Sequence, residues 1–276
     1  MIARILDLPD EVKSNYGLSS LYTVLCASAP CPLHLKKGIN ELVVRQGGRK
    51  VYSEYCAATE SFLANCLLPR DYDEKPERLA SYGKNHRAND VIIYDFEEER
   101  ICPTGEVGTI LEYGLGSIAF RYVGAGDQET MACFKVVDGR EYFDQGLLGY
   151  VDEDDFIYLA GRKKEMIISG GVNVYPNEIE NVISRHPKVD DVAVIPVPDT
   201  DLGEVAGAVV LLKEGETAEE QEIKEFCKRE GLYGLKIPRV VDYVKEGDIH
   251  RGPEGKLLKR YILPKYWEDK GYERRG

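Results

Sequence analysis

Residues 149–180 read GYVDEDDFIYLAGRKKEMIISGGVNVYPNEIE, and three features inside that stretch set its local structure. The pair Gly170-Gly171 permits a backbone turn and close approach of a thin ligand, because glycine adopts positive φ without steric cost. Arg162, Lys163 and Lys164 form a basic triplet that either holds hydroxyls and phosphates or makes a solvated face. Pro176 suits the first turn of a helix, and Ile179, Val182 and Ile183 make an apolar stripe at i, i+3, i+4. By themselves these features describe a hairpin leading into a helix.

Upstream, from about Asp90 to Ala160, the runs VIIYDF, EVGTILEYG, SIAFRYV, ACFKVV and FIYLAG are β-rich and separated by Gly, Asp or Pro, which predicts a small β subdomain, a barrel among the options. Further upstream, Leu21 to Cys26 reads as a strand ending in the small-residue loop Ala27-Ser28-Ala29-Pro30. A helix is expected near Leu33 to Val43 and a short strand near Lys50 to Tyr52. Downstream, Pro187 stops the helix that Pro176 opens. DVAVIPV and AGAVVLL read as strands, and Thr217 with Glu220 as a capping box for a helix running to Gly231. Arg239 to Val244 is a further strand, and a charged terminal helix broken by Pro264 is expected from Leu257 onward. This makes a compact α+β domain of roughly 110 residues, an ordinary domain size.

The bulk composition narrows the function classes. The 276 residues are 43% hydrophobic and 30% charged, as in a globular protein with a real core. A net charge of -12 argues against a general nucleic-acid binder, which needs a basic surface. Seven cysteines without a Cys-x-x-Cys pair, and only four histidines, argue against a zinc site and for a reducing, cytoplasmic setting. The opening MIARILDLPDEVK places charges where a signal peptide or membrane span needs an apolar core, so no integral membrane segment is expected there.

Two further segments carry candidate chemistry. In Glu54-Tyr55-Cys56-Ala57-Ala58-Thr59-Glu60, small residues allow backbone to approach a flat ligand, and a hydroxyl beside a carboxylate suits a phosphate and its Mg²⁺. The same string also reads as a helix N-terminus capped by Thr59. In Arg251-Gly252-Pro253-Glu254-Gly255-Lys256-Leu257-Leu258-Lys259, a lysine after a Pro/Gly loop is either a mobile point charge or an ordinary surface lysine.

Taken in order, LSSLYTVLCASAPCP, EYCAATE, the 149–180 stretch and RGPEGKLLKR resemble the adenylate-forming superfamily of acyl-CoA synthetases, luciferases and peptide-synthetase adenylation domains, essentially from end to end. EYCAATE is similar to the Tyr-Ala-Ala-Thr-Glu form found in some fatty-acid and bile-acid-type acyl-CoA ligases. The resemblance implies an α+β chain with a truncated α/β-plus-β-barrel large domain followed by a small α+β C-terminal domain. The implied boundaries are 1–163 (1–85 the α/β portion, 86–160 the β subdomain) and 164–276, the latter mobile. It further implies that Ala29 and Pro30 line an adenine pocket, with Tyr55, Cys56 and Ala57 beside it and Cys56 where an aromatic usually stacks. Thr59 would contact phosphate, Glu60 would bind Mg²⁺, and Arg162 would hold the ribose hydroxyls. Lys164 would be the hinge, Gly170 and Gly171 would border the CoA passage, and Lys256 would be the adenylation lysine. The implied ligands are ATP or AMP, Mg²⁺, CoA and a carboxylic acid of the kind used in fatty acid metabolism.

Departures from the family pattern bear on activity. No Gly-rich Ser/Thr-Lys loop appears in residues 1–30. The expectation is therefore a chain that needs a complementary N-terminal ligase subunit or self-associates, with a catalytically inactive relic or binding module as the alternative. Leu147 stands where an aspartate usually accepts the ribose hydroxyls, and leucine accepts no hydrogen bond. Asp144 is the nearby carboxylate that a shifted loop would offer instead. Asp155 replaces a usual glycine.

Overall fold

Two short helices, α1 (Ile2–Leu6) and α2 (Asp10–Ser14), lead into strand β1 (Val24–Cys26) and helix α3 (Leu33–Arg45). In α3, Ile39, Leu42 and Val43 recur at helical spacing and are all buried, so this face supplies the packing that a helix of such length needs. The computed structural model describes residues 1–27, 30–58, 60–85, 91–113, 120, 122–123, 127–252 and 256–267. Strands β2 (Tyr52–Ala58), β3 (Ser61–Leu67) and β4 (Lys84–Asn85) follow, giving a four-stranded sheet in the order β1-β2-β3-β4. β1 and β2 are parallel, with Cys26 opposite Glu54, whereas β2–β3 and β3–β4 are antiparallel. Residues 54–58 are therefore the end of a strand, while Thr59, the expected cap, lies outside the described residues.

Beneath β2 lies a buried ion pair. Lys36 of α3 and Glu54 of β2 are each 2% exposed and joined ammonium to carboxylate. The Lys36 Nζ also donates to the Ser81 carbonyl at 3.3 Å and lies 5.4 and 5.0 Å from the ring centres of Tyr52 and Tyr82. Burial pushes the Glu54 carboxyl up, and the ammonium pulls against it.

The β-rich region comprises β5 (Val91–Asp95), β6 (Arg100–Ile101), β7 (Gly108–Glu112), helix α4 (Asp127–Ala132), β8 (Phe134–Val137), β9 (Arg140–Val151) and β10 (Ile157–Arg162). They form a six-stranded sheet along the path β10-β9-β7-β5-β6, with β8 on β9. β9 carries both Asp144 and Leu147. Of the expected run 117–123, only Phe120, Tyr122 and Val123 are described, and none lies in a strand.

The chain divides into two compact units, Met1–Leu159 and Ala160–Gly276. The second contains β11 (Ile167–Ser169), β12 (Val172–Val174), α5 (Pro176–Ile183), β13 (Val189–Asp199), β14 (Gly203–Leu212), α6 (Glu220–Arg229), β15 (Val240–Val244) and α7 (Pro264–Trp267). β14 pairs antiparallel with β13 and parallel with β15. Strand periodicity sorts the side chains. Val192, Val194, Ala206, Ala208 and Val210 join the cluster holding Ile179, Ile183, Ile223 and Cys227. Their neighbours Ala193, Ile195, Val197, Val205 and Val209 face Ile249 and Ile262 instead. β13 is an edge strand, so Pro196, which has no N–H, is tolerated there. Its carbonyl accepts a 2.9 Å bond from the Trp267 indole N–H. One local expectation fails: α6 begins after Glu219 without a side-chain cap, so Thr217 is no capping residue. Of the expected terminal helix, the described residues show a 3₁₀ turn at Lys259–Tyr261 and then α7, which Pro264 opens.

Lys36→Met leaves an uncompensated buried carboxylate and is expected to cost about 3–5 kcal/mol, whereas adding Glu54→Leu restores most of the loss. Urea unfolding followed by far-UV circular dichroism measures both. His186, 4% exposed, packs edge-on against Phe226 and accepts the Lys188 N–H on Nδ1 at 3.3 Å. Burial, then Lys188 and Arg229, lower its affinity for a proton against the opposing pull of Glu222. The unfolded chain thus protonates first, and the second unit loses stability as pH falls below about 6.5. Trp267 fluorescence in urea between pH 7.5 and 5.5 should report this decline, and His186→Asn should flatten it.

Candidate functional site

In a parallel strand pair, the loops beyond the carboxyl ends form the natural ligand crevice. Here those ends are Cys26 and Ala58, so the chain leaving β1 and residues 55–58 of β2 reach the same rim of the sheet. Pro30 is exposed on the first, while Ala29 and Thr59 lie outside the described residues. Along β2, Tyr55 and Ala57 face outward, and Cys56 is half-buried. Burial, with Glu112 and Glu54 nearby, pushes the Cys56 thiol up to about 12, so it stays protonated and packs as a small apolar group.

The Glu60 carboxylate is half-buried, and its Oε1 accepts a 2.8 Å hydrogen bond from the Tyr122 hydroxyl. The Tyr122 amide in turn donates to Thr130 Oγ1 at 3.1 Å. Sequence reading missed Tyr122, since a tyrosine in a β-rich run carries no mark distinguishing a site residue from a packing residue. Behind Cys56, the buried Glu112 accepts from Asn65 Nδ2 at 3.4 Å and from Gln145 Nε2 at 2.8 Å. Among the described residues no cluster of three metal-ligating side chains exists.

Leu147 packs against the cluster of Ile93, Cys102, Ile110 and Ile157. Asp144 is paired opposite Leu111, and its Oδ1 accepts the Gly146 N–H at 2.7 Å. The carboxylate that a shifted loop would offer is thus holding its own turn.

The remaining sequence candidates belong to the second unit. Arg162 closes β10, its side chain half exposed and 3.9 Å from Glu165. Lys163, Lys164 and Glu165 form one 3₁₀ turn with Lys164 exposed. Gly170 and Gly171 are the two turn residues of the β11–β12 hairpin, with φ of +55° and +83°, the pattern of a type I′ turn. A Cβ on Gly170 would come within 2.9 Å of Leu202, whereas one on Gly171 would meet nothing within 4 Å, so that side of the turn is open. Next to the hairpin is a cavity of about 330 Å³ lined by Ser169, Leu202, Lys224, Ile237 and Arg239 among others. Ser169 is 1% exposed, and its hydroxyl has no hydrogen-bond partner among the described residues.

Lys256 lies at the base of a small loop closed by pairing of Arg251 with Leu257 and by a 2.8 Å bond from the Gly252 N–H to the Lys256 carbonyl. Both sides of the loop are pinned. Arg251 donates to both Asp191 oxygens at 2.7 and 2.6 Å. Lys259, 7% exposed, sits 2.8 Å from Glu180 and 3.2 Å from Glu165. Among the described residues the Lys256 ammonium has no ion-pair partner. The sequence motif contained Lys259, but nothing in it marked that lysine as buried.

Residues 178–256 match the AMP-binding enzyme C-terminal domain family. The chain is 32% identical over 263 residues to a long-chain-fatty-acid–CoA ligase of Bacillus subtilis, covering 92% of this chain and 42% of that protein. It is 31% identical over 254 residues to the peroxisomal OPC-8:0-CoA ligase 1 of Arabidopsis thaliana, covering 92% and 44%. ATP-bound MatB from Rhodopseudomonas palustris superposes with a TM-score of 0.77 at 27% identity, covering 96% of this chain and 49% of that one. No helix of the described residues is long and apolar enough to cross a membrane. The chain spans about half the length of the proteins it matches, and over that span it belongs to the adenylate-forming superfamily of the acyl-CoA ligases.

Proposed function

We propose that this chain forms the C-terminal part of an ATP-dependent acyl-CoA ligase. In the first half-reaction a fatty-acid-type carboxylate attacks the α-phosphate of ATP, giving acyl-adenylate and pyrophosphate. In the second, the CoA thiol attacks the acyl carbon and releases AMP. The observation that carries this reading is Lys256, whose ammonium has no ion-pair partner among the described residues and which stands on a loop anchored at both ends by Arg251–Asp191 and Lys259–Glu180. A charge held this way needs little reorganisation when negative charge builds on a phosphate oxygen.

The other residues take roles consistent with their places. Pro30, Tyr55, Cys56 and Ala57, with Ala29 and Thr59, would bind the nucleotide at the rim of the parallel strands, and Arg162 would hold the ribose. Glu60 keeps a carboxylate oxygen beyond the one that Tyr122 occupies. One carboxylate completed by substrate phosphates is the usual way Mg²⁺ is held, so the residues present fit that ion. Bound there, Mg²⁺ would neutralise phosphate charge. Lys164, in an exposed turn, would be the hinge of domain rotation. Gly170 and Gly171 would border the pantetheine passage, beside the cavity that Lys224 and Arg239 line. At the edge of the four-stranded sheet, Tyr22 and Leu25 are 74% and 64% exposed, which suits pairing with the complementary part of a ligase or self-association. The proposed setting is cytoplasmic.

The second reading, a binding module without catalysis, is favoured by one observation. The position of the usual ribose acceptor holds Leu147, which packs into an apolar cluster.

Mixing the chain with a polypeptide that supplies a phosphate loop and acyl pocket should yield acid-dependent pyrophosphate release. In that mixture Lys256→Ala should slow adenylation by about 10²–10³-fold. It should leave thioester formation from supplied acyl-adenylate largely intact. Gly171→Ala, which forces a side chain into positive φ at the open side of the turn, should do the reverse. Absence of partner-dependent release would sink the ligase reading. For the second reading, calorimetry of the chain with ATP decides: binding strengthened by Mg²⁺ counts against a non-catalytic module.

A further inference from the structure

The buried ammonium of Lys259 stands between two carboxylates that are far apart in sequence. It is 3.2 Å from Glu165 Oε2, in the turn that follows β10, and 2.8 Å from Glu180 Oε1, in α5. Glu180 Oε1 also accepts the Val194 N–H of β13 at 2.7 Å. The other oxygen of Glu165 faces the Arg162 guanidinium at 3.9 Å. A single lysine thus joins the turn at 163–165 to α5, and through Glu180 to the sheet. Neither contact of the ammonium has hydrogen-bond angles, so the link is one between whole charges. Burial of Lys259 keeps salt and water from screening it fully.

We propose that Lys259 and Glu165 are positioning residues, an ion pair that holds the loop of Lys256 in fixed relation to the turn bearing Arg162 and Lys164. The use of that relation in catalysis rests on the ligase reading, whereas the coupling of the two segments does not.

An ammonium reaches a developing charge productively only from a small set of positions. Lys256 is on a loop whose first end Arg251 fixes to Asp191 of β13. Lys259, three residues beyond Lys256, fixes the second end. Because its partners include Glu165, that second anchor is the same turn that carries Lys164. The group proposed to neutralise phosphate and the group proposed to hold the ribose are therefore linked through one carboxylate, Arg162 on one oxygen and Lys259 on the other. Removing Lys259 leaves Glu165 and Glu180 as two like charges around one vacated site. Their repulsion then works against the packing of the turn beside α5.

Amide hydrogen exchange of the chain by itself reads the coupling. Met166 donates to the Arg162 carbonyl at 3.1 Å and reports on the turn. Gly252 and Leu258 donate to the Lys256 and His250 carbonyls at 2.8 Å and report on the base of the loop. Lys259→Met should speed exchange at all three amides by at least about fivefold. Lys259→Arg, which keeps the charge, should restore most of the protection. Glu165→Gln, made in the turn, should speed Gly252 and Leu258 as well as Met166, while the amides of α6 stay as they were. Should Lys259→Met loosen α6 too, Glu165→Gln alone decides. Unchanged exchange overturns the proposal. So does faster exchange confined to the substituted segment: Met166 alone in Glu165→Gln, or Gly252 and Leu258 alone in Lys259→Met. In the mixture with the complementary polypeptide, Lys259→Met should slow adenylation by about 10–10²-fold and spare thioester formation from supplied acyl-adenylate. Equal slowing of both half-reactions overturns the positioning role. A wild-type mixture without activity removes the ligase reading, and exchange still decides whether the two segments are coupled.

Discussion

An ammonium and a carboxylate, each 2% exposed, meet beneath the first sheet where α3 crosses β2. Removing such charges from water costs several kcal/mol per ion, and the cost is offset only when partners and geometry are complete. Lys36 has the Glu54 carboxylate, the Ser81 carbonyl and two tyrosine rings around it. The consequence is positional. α3 cannot slide along β2 without stranding a charge, so the carboxyl end of the β1–β2 pair is held in register with the helix behind it. Everything the first unit presents at its rim, from Cys26 and Pro30 to Tyr55, Cys56 and Ala57, takes its place from that fixture.

The second unit solves a similar problem with apolar material. Successive residues of β13 and β14 are buried on opposite faces, one under α5 and α6 and the other under the terminal segment. That two-sided core gives the terminal segment something to pack on. Arg251 and Lys259 then fix its ends to Asp191, Glu180 and Glu165. A rigid scaffold carrying functional side chains on loops is how folds usually present reactive charge.

Two local features depart from the pattern that the family resemblance implies, and both are matters of partners. Leu147 belongs to an apolar cluster, while Asp144 is engaged by the turn that follows it. Glu60 already accepts a phenolic hydrogen from Tyr122. Each changes what a nucleotide would meet at the rim without changing the backbone that forms it.

Strand and helix periodicity made much of the architecture legible in the residues alone. The Ile179-Val182-Ile183 stripe, the Gly170-Gly171 turn and the two strands of the second unit follow from spacing and glycine stereochemistry, which are local properties. The family relation followed from four motifs in order. Local signals failed where chemistry was ambiguous over a few residues. Thr217 beside Glu220 resembles a cap, yet α6 starts later, and residues 54–58 form a strand because β1 and β3 pair with them on either side. What only tertiary structure decided is which polar groups are neighbours: Lys36 with Glu54, Tyr122 with Glu60, and Lys259 with Glu165 and Glu180. Such contacts join residues through packing rather than through spacing, and burial then sets their charge and reactivity.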